Sequence, residues 1–271
     1  MPSLSLPSAS FRPLAFNAVC LYILAYLLTI VLHEGAHAAM ALGLGDHPVL
    51  YSTAVRTTSA ALRNTDYVLI AAAGPVWSLV QGLLLLGWLR QHQPTGPWGA
   101  FRLYLGVFGL INFLGYLLIA PLVTGGDTGQ IVSRLHVPAI ATWLVAGLAL
   151  GALILLIGQT GPLFRGLLPA PAQTEPALRT TGLRALLLWP WLLGSVVLVL
   201  LALPAPHPAV VANMFMSPMV LRRAYATAQQ SPAQPIAGAG ATGLRQPQWL
   251  LLLAVVLAAA GFRLLAQGIA L

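Results

Sequence analysis

Polar residues are rare along most of this chain, and they gather in clusters that cut the sequence into long apolar runs. Six runs, at roughly 15–42, 67–89, 101–123, 139–158, 184–203 and 248–269, reach or approach the ~20 helical residues needed to cross a ~30 Å hydrocarbon layer. The third is bounded by Arg102 and the Gly125-Gly126 pair, and the last contains Arg263, a side chain long enough to reach the nearer interface. The pattern predicts an all-α, polytopic membrane protein with about six transmembrane helices. The breaks differ in character. Segment 45–66 is mixed polar, and its β-prone piece, Val49 to Thr58, predicts a short β-hairpin or re-entrant segment after the first helix. Segment 90–100 is a short Pro/Gly turn, and 159–183 is Pro-rich and irregular. Segment 204–247 is the longest break. It holds a short interfacial helix near Asn213 to Ala226, followed by a Pro/Ala/Gln/Gly linker.

Composition strengthens this picture. Of 271 residues, 58% are hydrophobic and 7% charged, against about 25% charged in a soluble domain. So few charges cannot cover a water-exposed surface of this size. The formal charge of +8 comes from 13 arginines and no lysine against five acids. The arginines are scattered singly at span ends and in loops, which marks membrane-flanking charge rather than a nucleic-acid stripe. With six spans they divide evenly. Arg12, Arg90, Arg102, Arg165, Arg179 and Arg184 face Arg56, Arg63, Arg134, Arg222, Arg223 and Arg245, leaving out Arg263. Orientation therefore stays open. Cys20 is the only cysteine and lies in an apolar run, which excludes an intrachain disulfide and a cysteine metal cluster. The N-terminus is not expected to be a cleavable signal, because its apolar run continues into the chemistry-bearing residues.

That chemistry is the run His33-Glu34-Gly35-Ala36-His37, an HExxH motif, near the end of the first span. Residues four apart share a helix face, so both imidazoles aim at one point. This suits two ligands of a zinc ion, with Glu34 placed as general base for a water at the metal. The chance of a glutamate flanked this way, from composition alone, is about one in a thousand. Ionisable groups inside a span cost at least ~2.5 kcal/mol each when charged. Gly35, Ala36, Ala38 and Ala39 are small and admit a neighbouring helix.

A catalytic zinc usually takes a third protein ligand. His47, His92, His136, His207, Asp46, Asp66 and Asp127 are the candidates. Spans 1 and 3 run in the same direction, so the end of span 3 lies on the side of the motif. Asp127 meets this condition in Thr124-Gly125-Gly126-Asp127-Thr128-Gly129-Gln130, whose glycines permit tight turns. His136 lies on the same side, and His47 can fold back from the loop after span 1. Spacing alone leaves these three open.

Together these residues resemble the site-2 proteases, intramembrane zinc metalloproteases, over about residues 16–135. HEGAH matches the family's HExxH helix, Ala73-Gly74-Pro75 its AGPxxN segment, and Gly125-Gly126-Asp127 its LDG motif. The resemblance implies one zinc ion held by His33, His37 and Asp127, with Glu34 as catalytic base. It also implies a role for Asn112 in holding or polarising the substrate backbone, and Pro121 resembles the family's proline-containing bend. Two positions depart from the pattern: Ser78 stands where AGPxxN has asparagine, and the order Gly-Gly-Asp-Thr-Gly replaces Leu-Asp-Gly. The expected organisation is a metalloprotease-like membrane core over 1–135, with three transmembrane helices. Accessory transmembrane helices over 136–271 carry the 204–247 loop. The expected partners are a membrane-protein substrate, the lipid bilayer and a regulatory membrane protein, with no nucleic acid. The expected location is a multi-pass position in a bacterial plasma membrane. The competing reading is a catalytically silent, metal-binding membrane scaffold or regulator.

Overall fold

The computed structural model describes residues 11–203, 211, 214–232, 243–244 and 246–271. His207, Asn213, Arg245 and most of the expected linker lie outside the described residues. Helices dominate. They are α1 (Arg12–Gly43), α2 (Asn64–Gln91), α3 (Gly96–Ile119), α4 (Asp127–Arg134), α5 (Ala139–Gly158), α6 (Gly161–Gly166), α7 (Ala170–Thr174), α8 (Pro176–Ala202), α9 (Leu221–Gln230) and α10 (Trp249–Leu265). Three two-residue strands, β1 (Val49–Leu50), β2 (Val55–Arg56) and β3 (Ile269–Ala270), form one antiparallel sheet in the order β2-β1-β3.

The helix boundaries follow local chemistry. Pro13 opens α1, where a missing N–H costs nothing. At the start of α2 the Arg63 N–H donates to Asp66 Oδ2 at 2.8 Å, closing a capping box. The third apolar run was expected to continue to residue 123, but α3 ends at Ile119. Ala120 still has helical angles, φ −49° and ψ −42°, but Pro121 has no N–H with which to continue the bond ladder. Inside α8, Pro190 coincides with two widened π-type turns, Arg184–Leu188 and Pro190–Gly194.

Among the described residues five helices are long and apolar enough to cross a membrane: α1, α2, α3, α8 and the α5–α6 stretch Ala139–Gly166. The expected sixth, α10, has 17 residues and falls short of that length. The helix expected near 213–226 is seen as Ser217–Val220 followed by α9. It is not merely interfacial, because Leu221, Ala224 and Ala228 are fully buried against α5, α6 and α8.

α1 is the central helix, packed on α2, α3, α8 and α10. Its Tyr22 stands edge-on to Tyr104 and Phe108 and shares a hydrogen bond of 2.9 Å with Ser195 Oγ. The Gln81 amide of α2 donates to Thr29 Oγ1 of α1 at 2.9 Å and to the Leu105 carbonyl of α3 at 2.8 Å, tying three helices by one side chain. α2 and α3 approach through small residues. A Cβ on Gly109 would stand 2.6 Å from the Ser78 carbonyl oxygen. One buried apolar cluster draws on residues from both sides of position 135.

The course of the last helices differs from the six-span expectation. Asn17, near the start of α1, bonds to the backbone of Leu244, Gln246 and Gln248 just before α10. At the other end, β3 follows α10 and pairs with β1, which follows α1. So α10 runs parallel to α1, and the described chain starts and finishes at opposite ends of α1. The intervening segment makes the return. Met214 lines the cavity that holds Glu34, and Thr227 Oγ1 donates to the Gly158 carbonyl at the far end of α5.

Candidate metal centre

His33 and His37 lie on α1 and Asp127 opens α4, and the fold brings all three together, buried or nearly so. His33 Nε2 stands 2.9 Å from Asp127 Oδ2, His37 Nε2 stands 3.3 Å from it, and the two Nε2 atoms are 3.1 Å apart. Nitrogen and oxygen ligands at about 2.0–2.1 Å around a tetrahedral ion sit about 3.3 Å from each other. The observed triangle is within a few tenths of an ångström of that spacing. Its donors are two imidazole nitrogens and a carboxylate oxygen, a set suited to a divalent transition ion. Burial alone would raise the Asp127 carboxyl, but the His33 and His37 imidazoles outweigh it and hold the group well below its ordinary value.

Each ligand is oriented from behind. His37 Nδ1 lies 2.6 Å from the Ile70 carbonyl, so the ring donates there and keeps its Nε2 lone pair for the centre. His33 Nδ1 lies 3.0 Å from Ser78 Oγ and 2.9 Å from the Asn112 amide, and the amide is 3.0 Å from the same hydroxyl. When His33 binds an ion through Nε2, its Nδ1 carries the proton and needs an acceptor. Ser78 Oγ provides one, and the Asn112 amide turned with its oxygen to the ring provides another. Tyr116 stacks on the His33 ring at 5.1 Å with planes 7° apart.

Glycine is required at Gly74. A Cβ there would lie 2.3 Å from His37 Nε2 and 2.7 Å from His33 Nε2, so any side chain would displace the imidazoles. Around the start of α4 the tight position is not Gly125, which has open space around it, but Gly129 in the first turn of the helix. A Cβ at Gly129 would stand 2.1 Å from the Val123 carbonyl oxygen. Thr128 Oγ1 donates to the Tyr116 carbonyl at 2.5 Å and pins the start of α4 to the end of α3.

A cavity of about 710 Å³ opens on the cluster. Glu34, His37 and Asp127 line it together with Tyr116, and Thr53, Ala54, Val55 and Thr57 of the hairpin form another wall. The hairpin is held by Asp46, whose carboxylate accepts the Ser59 N–H at 2.7 Å and the Thr58 N–H at 3.0 Å. Burial would raise this acid, but those backbone donors prevail and lower it.

Asn112 is not among the residues that line the cavity; it sits behind His33. The rival third ligands are elsewhere. His136 is exposed at φ 53°, with Nδ1 donating to the Ser133 carbonyl. His47 is exposed, and His92 stacks on Trp88 at the outer end of α2. Asp46 and Asp66 serve as local backbone acceptors. The residues that sequence reasoning passed over are Tyr116 and Gly129. Tyr116 is four residues beyond Asn112, one helical turn, and that spacing was the available signal. Compared with protein-family models, curated proteins and solved structures, the chain shows no match.

Proposed function

We propose that the protein is an integral membrane zinc endopeptidase that cuts a transmembrane substrate. The observation that carries this reading is the convergence of His33, His37 and Asp127 beside Glu34, at the wall of a cavity set among long apolar helices. A metal used only to brace helices would need neither a carboxylate facing open space nor a cavity. Within the bundle, the three ligands would hold the ion. When bound, zinc would supply Lewis-acid polarisation of a carbonyl and acidify water.

The chain's own residues supply the remaining steps. An extended substrate segment pairs along the free edge of β2, the outer strand of the sheet and part of the cavity wall. Its scissile carbonyl then lies against the cluster. Glu34 takes a proton from the attacking water and passes it to the leaving amine as the C–N bond breaks. Tyr116 and Ser78 hold the His33 ring in register through this sequence. The expected direct role of Asn112 on the substrate is replaced here by one on His33.

The test is metal content and peptide cleavage measured side by side. Glu34→Gln is expected to keep one metal per chain and to lose cleavage by about a thousandfold or more. Asp127→Ala is expected to lose metal, while His136→Ala keeps it. Unchanged cleavage by Glu34→Gln in purified protein would remove the proteolytic reading.

A further inference from the structure

Asp127, Gln130 and Arg134 occupy positions i, i+3 and i+7 of α4, and all three line the cavity. They form one helical stripe, with Arg134 two turns, about 10 Å, from the metal-ligating Asp127. Arg134 is held in place. Its Nη1 donates to Asn64 Oδ1 at 3.0 Å, Asn64 Nδ2 donates back to the Arg134 carbonyl at 3.2 Å, and the guanidinium lies 4.1 Å over the Tyr67 ring. None of these partners is charged. Among the described residues the ion pairs join His33 and His37 to Asp127 and Arg63 to Asp66, so no carboxylate neutralises Arg134. Among the described residues that line this cavity it is the one arginine.

A half-buried guanidinium, fixed by neutral groups and facing a cavity, is arranged to receive a carboxylate from outside. The distance sets where that carboxylate must be. An extended chain advances about 3.3 Å per residue, so ~10 Å corresponds to about three residues from the bond at the metal. Resting on the proteolytic reading above, we propose that Arg134 selects substrates carrying a carboxylate about three residues from the scissile bond. The carboxylate comes either from an acidic side chain or from the substrate's own C-terminus. Gln130, midway along the stripe, lines the cavity with its amide donating to the Gly125 carbonyl at 3.1 Å.

The test uses a transmembrane fusion protein cut by the wild-type chain, with the cleaved bond located by mass spectrometry. Asp, Asn or Lys is then placed three residues from that bond on either side. A further pair of substrates ends three residues beyond the bond with a free or an amidated C-terminus. Wild type is expected to favour Asp over Asn by about tenfold in kcat/KM, carried by KM, and to disfavour Lys. Preference for the free over the amidated terminus would instead assign the carboxylate to the chain end. Arg134→Glu is expected to reverse the order and favour Lys. Equal cleavage of all substrates by wild type overturns the proposal and leaves the protease reading intact, even if Arg134→Glu fails to fold. A uniform loss across all substrates in Arg134→Glu, with no reversal, also overturns it. If wild type cuts no fusion, the proteolytic reading itself falls and takes this inference with it.

Discussion

Ser78 is buried with its hydroxyl 3.0 Å from His33 Nδ1, and its importance can be measured apart from catalysis. Ser78→Ala is expected to weaken zinc binding by about ten- to a hundredfold, read by competition with a chromophoric chelator. Unchanged affinity would mean that Asn112 and the Tyr116 stack fix the ring without it. This residue shows how far the sequence reading extends. His33 and His37 were legible because a spacing of four residues puts them on one helix face. Asp127 was one of three candidates until the resemblance was used, because the fold of the turn after α3 is not written in any periodicity. Ser78 read as a departure from a family pattern. In the fold it takes its own place beside Asn112, and the two polar groups satisfy each other and His33. Gly74 was part of a recognised motif, but the reason for it, two imidazole nitrogens within 3 Å of a would-be Cβ, exists only in three dimensions.

On the proposed reading the hairpin would align the substrate, and Asp46 is its clasp. The carboxyl is lowered from its ordinary value near 3.8 by the Ser59 and Thr58 donors that outweigh its burial. A group with a depressed folded value stabilises the fold above its unfolded value and loses that contribution as pH falls through the folded one. The hairpin should therefore keep its order from neutral pH down to about pH 4 and loosen below it. Asp46→Ala should show the loosened state already at neutral pH, with amide exchange of Thr58 and Ser59 faster by about tenfold. Equal exchange in the two proteins would show that strand pairing alone holds the loop. A short β-element here was predicted from its residues. β3 was not, because Ile269 and Ala270 look like the tail of an apolar helix. Only Gly268 at φ 88°, packed against Tyr51, turns the chain into the sheet.

At the scale of the molecule, the parallel course of α1 and α10 changes the charge map. Taken from the described contacts, Arg12, Arg90, Arg102, Arg165, Arg179, Arg184, Arg222 and Arg223 lie toward the end where α1 begins. Arg56, Arg63, Arg134 and Arg263 lie toward the metal centre. The even division expected from six alternating spans becomes two to one. In a membrane the expected outcome of this bias is an arginine-rich end in the cytoplasm and a cavity toward the other side. Single cysteines introduced at the exposed Thr174 and His136, in a Cys20→Ala background, test it. Impermeant thiol reagent added outside the cell should label the second and not the first, and the reverse pattern would invert the orientation. Counting apolar runs recovered the major helices. It could not recover their directions after residue 203, because α9 is only ten residues long and partly polar, too short for hydropathy to count as a crossing.

The third strand also sets an order of assembly. β1 and β2 are neighbours in sequence, but the partner on the other side of β1 is made more than two hundred residues later, after α10 has been laid beside α1. A ribosome-bound chain therefore holds its metal ligands well before it holds the finished sheet. The sheet that walls the cavity is among the last parts of the molecule to close, so strand pairing separates an early gathering of His33, His37 and Asp127 from a late completion of the wall beside them.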